Sequence, residues 1–329
     1  MIETFRADLP HGITLSCRAA GPLRAPLVIF LHGFPEAAFA WDEMLRRFGD
    51  RYRCVAPNLR GFEHSSAPAQ VDAYRPKPLA TDIVALAAHC NRAAGRAPDA
   101  PLAALVAHDW GGAIAWNLGA RQPALLERLV IVNSPHPTTF LRDLQHSPAQ
   151  QRASAYMNFL RRDDAAALLA ADDYSRLWRF FADAAAPAGA APDWLTPAVK
   201  DAYRAVWRCG LQGGLGYYRA LPLRPPASGN EAVLDLAFAP EAVTVRLPTL
   251  VVWGERDTAL LPGLLDGLEA FVPELRVVRV ADASHWIVHE QPALVARDRV
   301  GPRGLRAPPR AGPSPSRPPA GAQENLGRP

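Results

Sequence analysis

Six short apolar runs punctuate the chain: Leu27–Leu31, Cys54–Ala56, Leu102–Ala107, Leu129–Val132, Leu250–Trp253 and Leu275–Val280. They are too short to be buried helices, and being apolar at successive positions they need cover on both faces. Parallel strands with helices packed on each side meet that demand, so the fold class is α/β. Ahead of them, Thr4–Leu9 and Ile13–Arg18 flank the turn cluster Pro10-His11-Gly12 and predict a hairpin. Between Val132 and Leu250 the strand rhythm lapses, and the segment 137–235 reads as helices broken by Pro and Gly. This predicts an inserted helical domain dividing a core of residues 1–136 and 236–300. Its first helix is expected after Ser147-Pro148, where Gln150 completes a capping box, and another after Thr196-Pro197, running through Arg208.

Composition removes several functional classes. With 49% hydrophobic and 21% charged residues, the 329-residue chain can bury a core of several layers. The net charge of +4 arises in the last 29 residues, which hold five Arg and one acid and leave 31 charges of each sign in the rest. A neutral body argues against a nucleic-acid footprint. The same 29 residues contain eight Pro and five Gly but no Ile, Val, Phe, Tyr or Trp, so 301–329 is expected to be a disordered tail. Cys17, Cys54, Cys90 and Cys209 are far apart and form no Cys-x-x-Cys, which predicts buried thiols rather than disulfides or a zinc site. No basic leader and no apolar run long enough to span a bilayer is seen, so a cytoplasmic protein without membrane association is expected.

The chemistry concentrates in Leu105-Val106-Ala107-His108-Asp109-Trp110-Gly111-Gly112-Ala113, which passes from a strand into a helix among small residues. A sharp strand-to-helix turn pushes its central side chain outward and needs small neighbours, as in the Gly-x-Ser-x-Gly elbow. Here Asp109 takes the place of the serine. An Asp in this position also suits a helix cap. As a nucleophile it is ionised without help from a base. Its attack on an ester would give an anhydride, whereas attack on a saturated carbon bearing a leaving group gives an ordinary ester. The fitting substrates are therefore epoxides or haloalkanes. Three other segments fall at strand ends: His32-Gly33-Phe34-Pro35-Glu36, Asp257 in Gly254-Glu255-Arg256-Asp257, and His285 in Ser284-His285-Trp286. The order nucleophile, acid, histidine is that of an α/β-hydrolase triad.

On HGFPE (32–36), LRGF (59–62), HDWGG (108–112), GERD (254–257) and SHWIVHEQP (284–292), the chain resembles the α/β-hydrolase superfamily, and within it the epoxide hydrolases, over roughly residues 1–298. The resemblance implies a mostly parallel sheet flanked by helices, an inserted helical cap and no cofactor. It implies Asp109 as nucleophile and Asp257 with His285 as the pair that activates water. Backbone N–H groups of Phe34 and Trp110 would form the oxyanion site, and Tyr156 and Tyr203 would donate protons from the cap. Tyr217 and Tyr218 compete for that last role. His32, Pro35, His136, Tyr217 and Trp286 are expected around the substrate.

An opened epoxide leaves an alkoxide, which a protonated phenol can assist. Dehalogenation needs N–H donors for a departing halide, and Phe34 offers no side-chain donor where haloalkane dehalogenases commonly carry Asn. Fluoroacetate dehalogenases carry Arg where this chain has Trp110. The expected reaction is thus epoxide to vicinal diol. A haloalkane or haloacid dehalogenase and an inactive fold used for binding are the alternatives. Two departures from the family pattern stand out. Asn58 and His64 occupy the 57–66 loop, where they are expected to reshape the pocket wall. The helix after Pro292 can run only to about Val300, which leaves a covering helix incomplete and a homodimer open.

Overall fold

The computed structural model describes residues 1–183, 192–227 and 231–296. Eight strands form one sheet: β1 (Glu3–Asp8), β2 (Thr14–Ala20), β3 (Leu27–Leu31), β4 (Arg53–Pro57), β5 (Ala104–His108), β6 (Leu129–Val132), β7 (Thr249–Gly254) and β8 (Leu275–Val280). Their spatial order is β1-β2-β4-β3-β5-β6-β7-β8. The β1–β2 hairpin and the β2–β4 pair are antiparallel, and every later pair is parallel. All residues of β3 to β7 are buried, which is why those segments are mostly apolar in sequence, with Arg53, His108 and Thr249 at strand ends.

Alternation still sorts the strand residues. Ile29, Leu31, Leu105, Ala107 and Val251 join a core on one face, with Ile83 of α2 (Pro76–Ala93, following α1 at Asp42–Phe48) and Ile114 and Leu118 of α3 (Trp110–Arg121). Val28, Phe30, Val106, Val130 and Val252 join a second core on the other face, with Met44 and Leu45 of α1 and Ile287.

From β3 the chain steps to β4 on one side and, after α2, to β5 on the other. The carboxyl ends of β3 and β5 therefore border the crevice at which ligands bind in open α/β sheets. Asp109, Asp257 and His285 follow β5, β7 and β8 at this same edge.

Between β6 and β7 lie α4 (Pro137–His146), α5 (Pro148–Ala153), α6 (Tyr156–Leu160), α7 (Ala165–Asp183), α8 (Pro197–Arg208) and α9 (Gln212–Ala220). The Ser147 hydroxyl accepts from Gln150 N at the start of α5, and Thr196 accepts from Val199 N at the start of α8. Helix α4 precedes the expected first start. Its cap is the imidazole of His136, which accepts from Thr138 N and is a weaker sequence signal than Ser or Asp. Helix α7 bends sharply where Asp172, Asp173 and Tyr174 adopt left-handed backbone angles.

Cys17, Cys54 and Cys90 are buried, but Cys209, at the end of α8, is exposed, correcting the expectation of four buried thiols. Among the described residues no helix is long and apolar enough to cross a membrane. The expected tail at 301–329 and the end of the last helix at Val300 lie outside the described residues. A helix of four residues is seen at Pro292–Val295.

Candidate active site

The turn at Asp109 has φ 49° and ψ −119°, a strained conformation for a residue with a Cβ, costing on the order of 1–3 kcal/mol. Small neighbours permit it. A Cβ on Gly111 would stand 2.5 Å from the Leu31 carbonyl oxygen, one on Gly112 2.3 Å from Ser134, and one on Gly33 2.3 Å from the Asp109 carboxylate. The Ser134 hydroxyl donates to the Asp109 carbonyl at 2.6 Å and fastens the turn to the end of β6. So held, the carboxylate accepts the Phe34 N–H at 2.8 Å on Oδ1. Trp110 opens α3, where the first N–H groups have no partner within the helix.

Oδ2 of Asp109 faces His285 Nε2 at 3.8 Å, and the other ring nitrogen of His285 meets Asp257 Oδ2 at 2.6 Å. Asp257 is fully enclosed. Its Oδ1 accepts from Ala259 N and Leu260 N, and its Oδ2 also accepts from Asn133 Nδ2 at 2.8 Å. Burial opposes its charge, yet His285 and these donors hold the carboxyl below the usual range. Burial likewise opposes a charged His285, but the Asp257 and Asp109 carboxylates outweigh it and raise the imidazole to about 9.

Two cavities of about 290 Å³ each meet at Asp109, and both are also lined by Tyr156 and Tyr218. One extends between α3 and the helical insertion past Trp116, Phe140 and Met157. The other runs past Phe34, Phe180, His285 and Trp286. The Tyr156 and Tyr218 rings meet edge to face with centroids 6.2 Å apart, and the Trp110 ring meets Tyr218 in the same way at 5.0 Å. Burial, with the nearby Asp109 carboxylate, pushes both phenols above their ordinary range and keeps them protonated.

Tyr203 is not in this group, which corrects the expected tyrosine pair. Its hydroxyl donates to Glu36 Oε1 at 2.9 Å, and its ring is packed against Phe39, Phe181 and Trp207. The geometry of α9 accounts for the exchange. Gly213 and Gly216 press that helix against Gly61 and the Tyr74 ring, and Tyr217 lies on the same face, donating to the Arg60 carbonyl. Tyr218 is turned about 100° away, beside Phe34 and Trp110.

Of the expected pocket residues, only Trp286 lines either of these two cavities. The Nε2 of His32 accepts from Leu59 N while its Nδ1 faces the Gly33 carbonyl, and burial lowers its pKa to about 4, so it is a neutral strut. Pro35 offers its carbonyl to the Trp207 indole. His136 caps α4 and reaches the Val243 carbonyl, and burial lowers it to about 4 as well. Tyr217 is enclosed by protein. Asn58 accepts from Ala38 N and bonds Glu63 without reaching either cavity.

Sequence reasoning missed Asn133, whose signal is an Asn directly after a buried strand. It also assigned no role to Glu36 and His108. Buried Glu36 meets His108 Nδ1 at 3.1 Å and also His289, and His108 Nε2 donates to the His285 carbonyl at 2.9 Å. These contacts fix the backbone of the loop carrying His285. Among the described residues no group of three or more His, Cys, Asp or Glu is arranged to hold a metal ion.

A family model described as the alpha/beta hydrolase fold matches residues 26–292. Epoxide hydrolase 4 of Mus musculus is 30% identical over 86% of this chain and 74% of its own. The chain belongs to the epoxide hydrolase family of α/β hydrolases. It is also 34% identical to the AB hydrolase superfamily protein YfhM of Bacillus subtilis, over 87% of this chain and 92% of that one. A solved structure from a set of novel epoxide hydrolases in metagenomes from hot environments superposes with a TM-score of 0.77 at 36% identity, covering 90% of this chain and 96% of that one. The hydrolase is accordingly an enzyme, and the alternative of an idle binding scaffold is set aside.

Proposed function

We propose that this hydrolase converts an epoxide to a vicinal diol through a covalent ester on Asp109. One observation carries the reading: a bare carboxylate and two protonated phenols, Tyr156 and Tyr218, line the same junction of two cavities. Oδ2 of Asp109 attacks a ring carbon while the phenols donate to the ring oxygen, and the C–O bond breaks to leave an alcohol and an aspartyl ester. His285, oriented by Asp257, then takes a proton from water as that water attacks the Asp109 carboxyl carbon. The developing oxyanion is stabilised by the N–H groups of Phe34 and Trp110. Collapse expels the diol oxygen, which takes the proton held by His285, and the second proton of the water returns to the phenol that protonated the ring oxygen, so the diol leaves and the carboxylate and both phenols are restored. The cycle uses only the chain's own groups and water, with the helices of 137–235 acting as the cap that carries both phenols.

Dehalogenation would share the first step but would want N–H donors for the halide. The phenols of Tyr156 and Tyr218 line the junction at Asp109, which favours an oxygen leaving group. The test is turnover in ¹⁸O-labelled water with protein in excess over substrate. Label is expected in the peptide containing Asp109, because the attacked carboxyl retains one water oxygen when the ester is hydrolysed. Label found only in the diol would mean that water attacks the epoxide directly.

A further inference from the structure

Neither helix that carries a phenol can place it unaided. Helix α6 begins at Tyr156 and has five residues, far short of the about 12–15 at which an isolated helix becomes marginally stable. Helix α9 carries Gly213, Gly214 and Gly216, each worth about 1 kcal/mol less than Ala inside a helix. Beyond it the chain is extended at Leu221, and Pro222 has no N–H with which to close the last turn. The carbonyls at that end lie within three residues of Tyr218 and need donors from elsewhere.

Two arginines tie these helix ends crosswise. Nη1 of Arg161, the residue directly after α6, donates to the Tyr218 carbonyl and, at 2.9 Å, to that of Leu221. Nη2 of Arg219, directly after Tyr218, donates at 2.9 Å to the carbonyl of Arg162, directly after Arg161. Asn158 of α6 adds a third tie, to the Pro225 carbonyl at 3.3 Å. Among the described residues neither Arg161 nor Arg219 has a carboxylate within ion-pair distance, whereas Arg162 beside them is paired with Asp164 at 2.6 Å. Burial and the like charges of Arg224 and Arg219 lower the Arg161 pKa, so the carbonyl bonds hold this joint together against repulsion. Neither Arg161 nor Arg219 lines either cavity at Asp109.

We propose that Arg161 and Arg219 are positioning residues for ring opening, which together set the reach of the Tyr156 and Tyr218 phenols toward one epoxide oxygen. This rests on the epoxide reading above. Phe34 and Trp110 meet the Tyr218 ring edge-on and hold its tilt, while the crossed carbonyl bonds fix where each helix end stands along its axis. A misplacement of about 1 Å costs about 10² in rate. The loss falls on alkylation of Asp109, because ester hydrolysis relies on His285, Asp257 and Phe34 N–H, all on the core side of the site.

The experiment measures the two chemical steps separately in Arg161→Met and Arg219→Met, which keep an apolar stem and lose the donors. Adduct formation, read as gain in mass in the His285→Gln background, should slow about tenfold to a hundredfold. Ester hydrolysis in single turnovers with His285 present should stay within about threefold of the parent. Arg161→Lys, which retains one cation for one carbonyl, should recover most of the loss, and guanidinium ion at millimolar concentration should speed adduct formation in Arg161→Ala. A purely structural role would lower Tm and slow both steps alike. Equal slowing of both steps, or adduct formation unchanged in Arg161→Met, overturns the proposal. If the Met proteins do not fold, Arg161→Lys is read in the same way, with an expected loss of about threefold confined to adduct formation. Calorimetry with benzanilide, an unreactive amide whose carbonyl oxygen can accept from both phenols, separates this inference from the reaction itself. Affinity about tenfold weaker in Arg161→Met than in the parent, without turnover of any epoxide, would keep the positioning role and discard the epoxide reading. The same affinity in both proteins discards the positioning role.

Discussion

Replacing His285 with Gln is expected to halt the reaction after its first chemical step and leave a substrate-derived adduct on Asp109. The alkylation needs the Asp109 carboxylate, which Phe34 N–H continues to hold at 2.8 Å, and the two phenols, none of which the substitution touches. Hydrolysis of the ester needs a base for water, and the imidazole whose Nε2 stands 3.8 Å from Oδ2 is the group placed to act. A glutamine amide cannot accept that proton, and loss of a general base costs about 10²–10⁴ in rate. Asp257 keeps Asn133, Ala259 N and Leu260 N as donors, so the variant retains a satisfied buried carboxylate and folds. Intact-protein mass spectrometry should show the chain heavier by one whole epoxide, with the added mass on the peptide containing Asp109. An unmodified chain recovered from a substrate that the parent turns over would overturn the role given to His285.

The same imidazole sets two pH dependences of opposite sense. In the free protein it is raised to about 9 against its burial, by Asp257 and in part by the Asp109 charge. Forming the ester removes the Asp109 charge, so His285 in the intermediate titrates below that value and becomes a usable base. The rate of ester hydrolysis, measured in single turnovers, should rise with pH and level off below pH 9. Stability runs the other way. A histidine whose folded pKa is raised contributes stability that is complete below about pH 6.5 and is lost as pH climbs through about 9. The melting temperature should decline across that window in the parent and should not show that decline in His285→Gln.

Some of this site was legible in the chain because its residues sit where local rules are strict. Asp109 and Asp257 each follow a strand that is buried on both faces, and such strands announce themselves as apolar runs, whereas His285 follows the edge strand β8, whose Arg276 and Arg279 are exposed. Gly33, Gly111 and Gly112 are forced by contacts of 2.3–2.5 Å that any Cβ would make, so the small residues around Asp109 marked the turn. The insertion was harder to read, since helical periodicity shows that a face is buried without showing against what. Tyr203 and Tyr218 both occupy buried helix faces, and only tertiary packing turns one toward Glu36 and the other toward Trp110. The sequence did hold one clue to Tyr218. Gly213 and Gly216, three residues apart, mark the closely packed face of α9 and take Tyr217 with them. His32 and His136 misled for a related reason: a histidine beside a strand end reads as chemistry, and in both the ring nitrogens are spent on backbone groups.

The exchange of tyrosines gives the second large effect. Tyr156→Phe and Tyr218→Phe should each lower kcat/KM for an epoxide about tenfold or more, and the double substitution by about 10²–10⁴, the range for a positioned proton donor. One phenol can still assist the ring oxygen in each single variant, so the losses should not add independently. The defect should lie in formation of the adduct rather than its hydrolysis, and the His285→Gln background makes that step visible as a slower gain in mass. Tyr203→Phe should behave differently. It deprives the buried Glu36 carboxylate of one donor while His108 and His289 remain, which costs about 1–3 kcal/mol of stability and a few degrees in Tm. Turnover per folded molecule should stay within about threefold of the parent. A Tyr203→Phe protein that melts like the parent yet forms no adduct would return Tyr203 to the reacting group, and would require α8 to approach Asp109 far more closely than its anchorage on Glu36 allows.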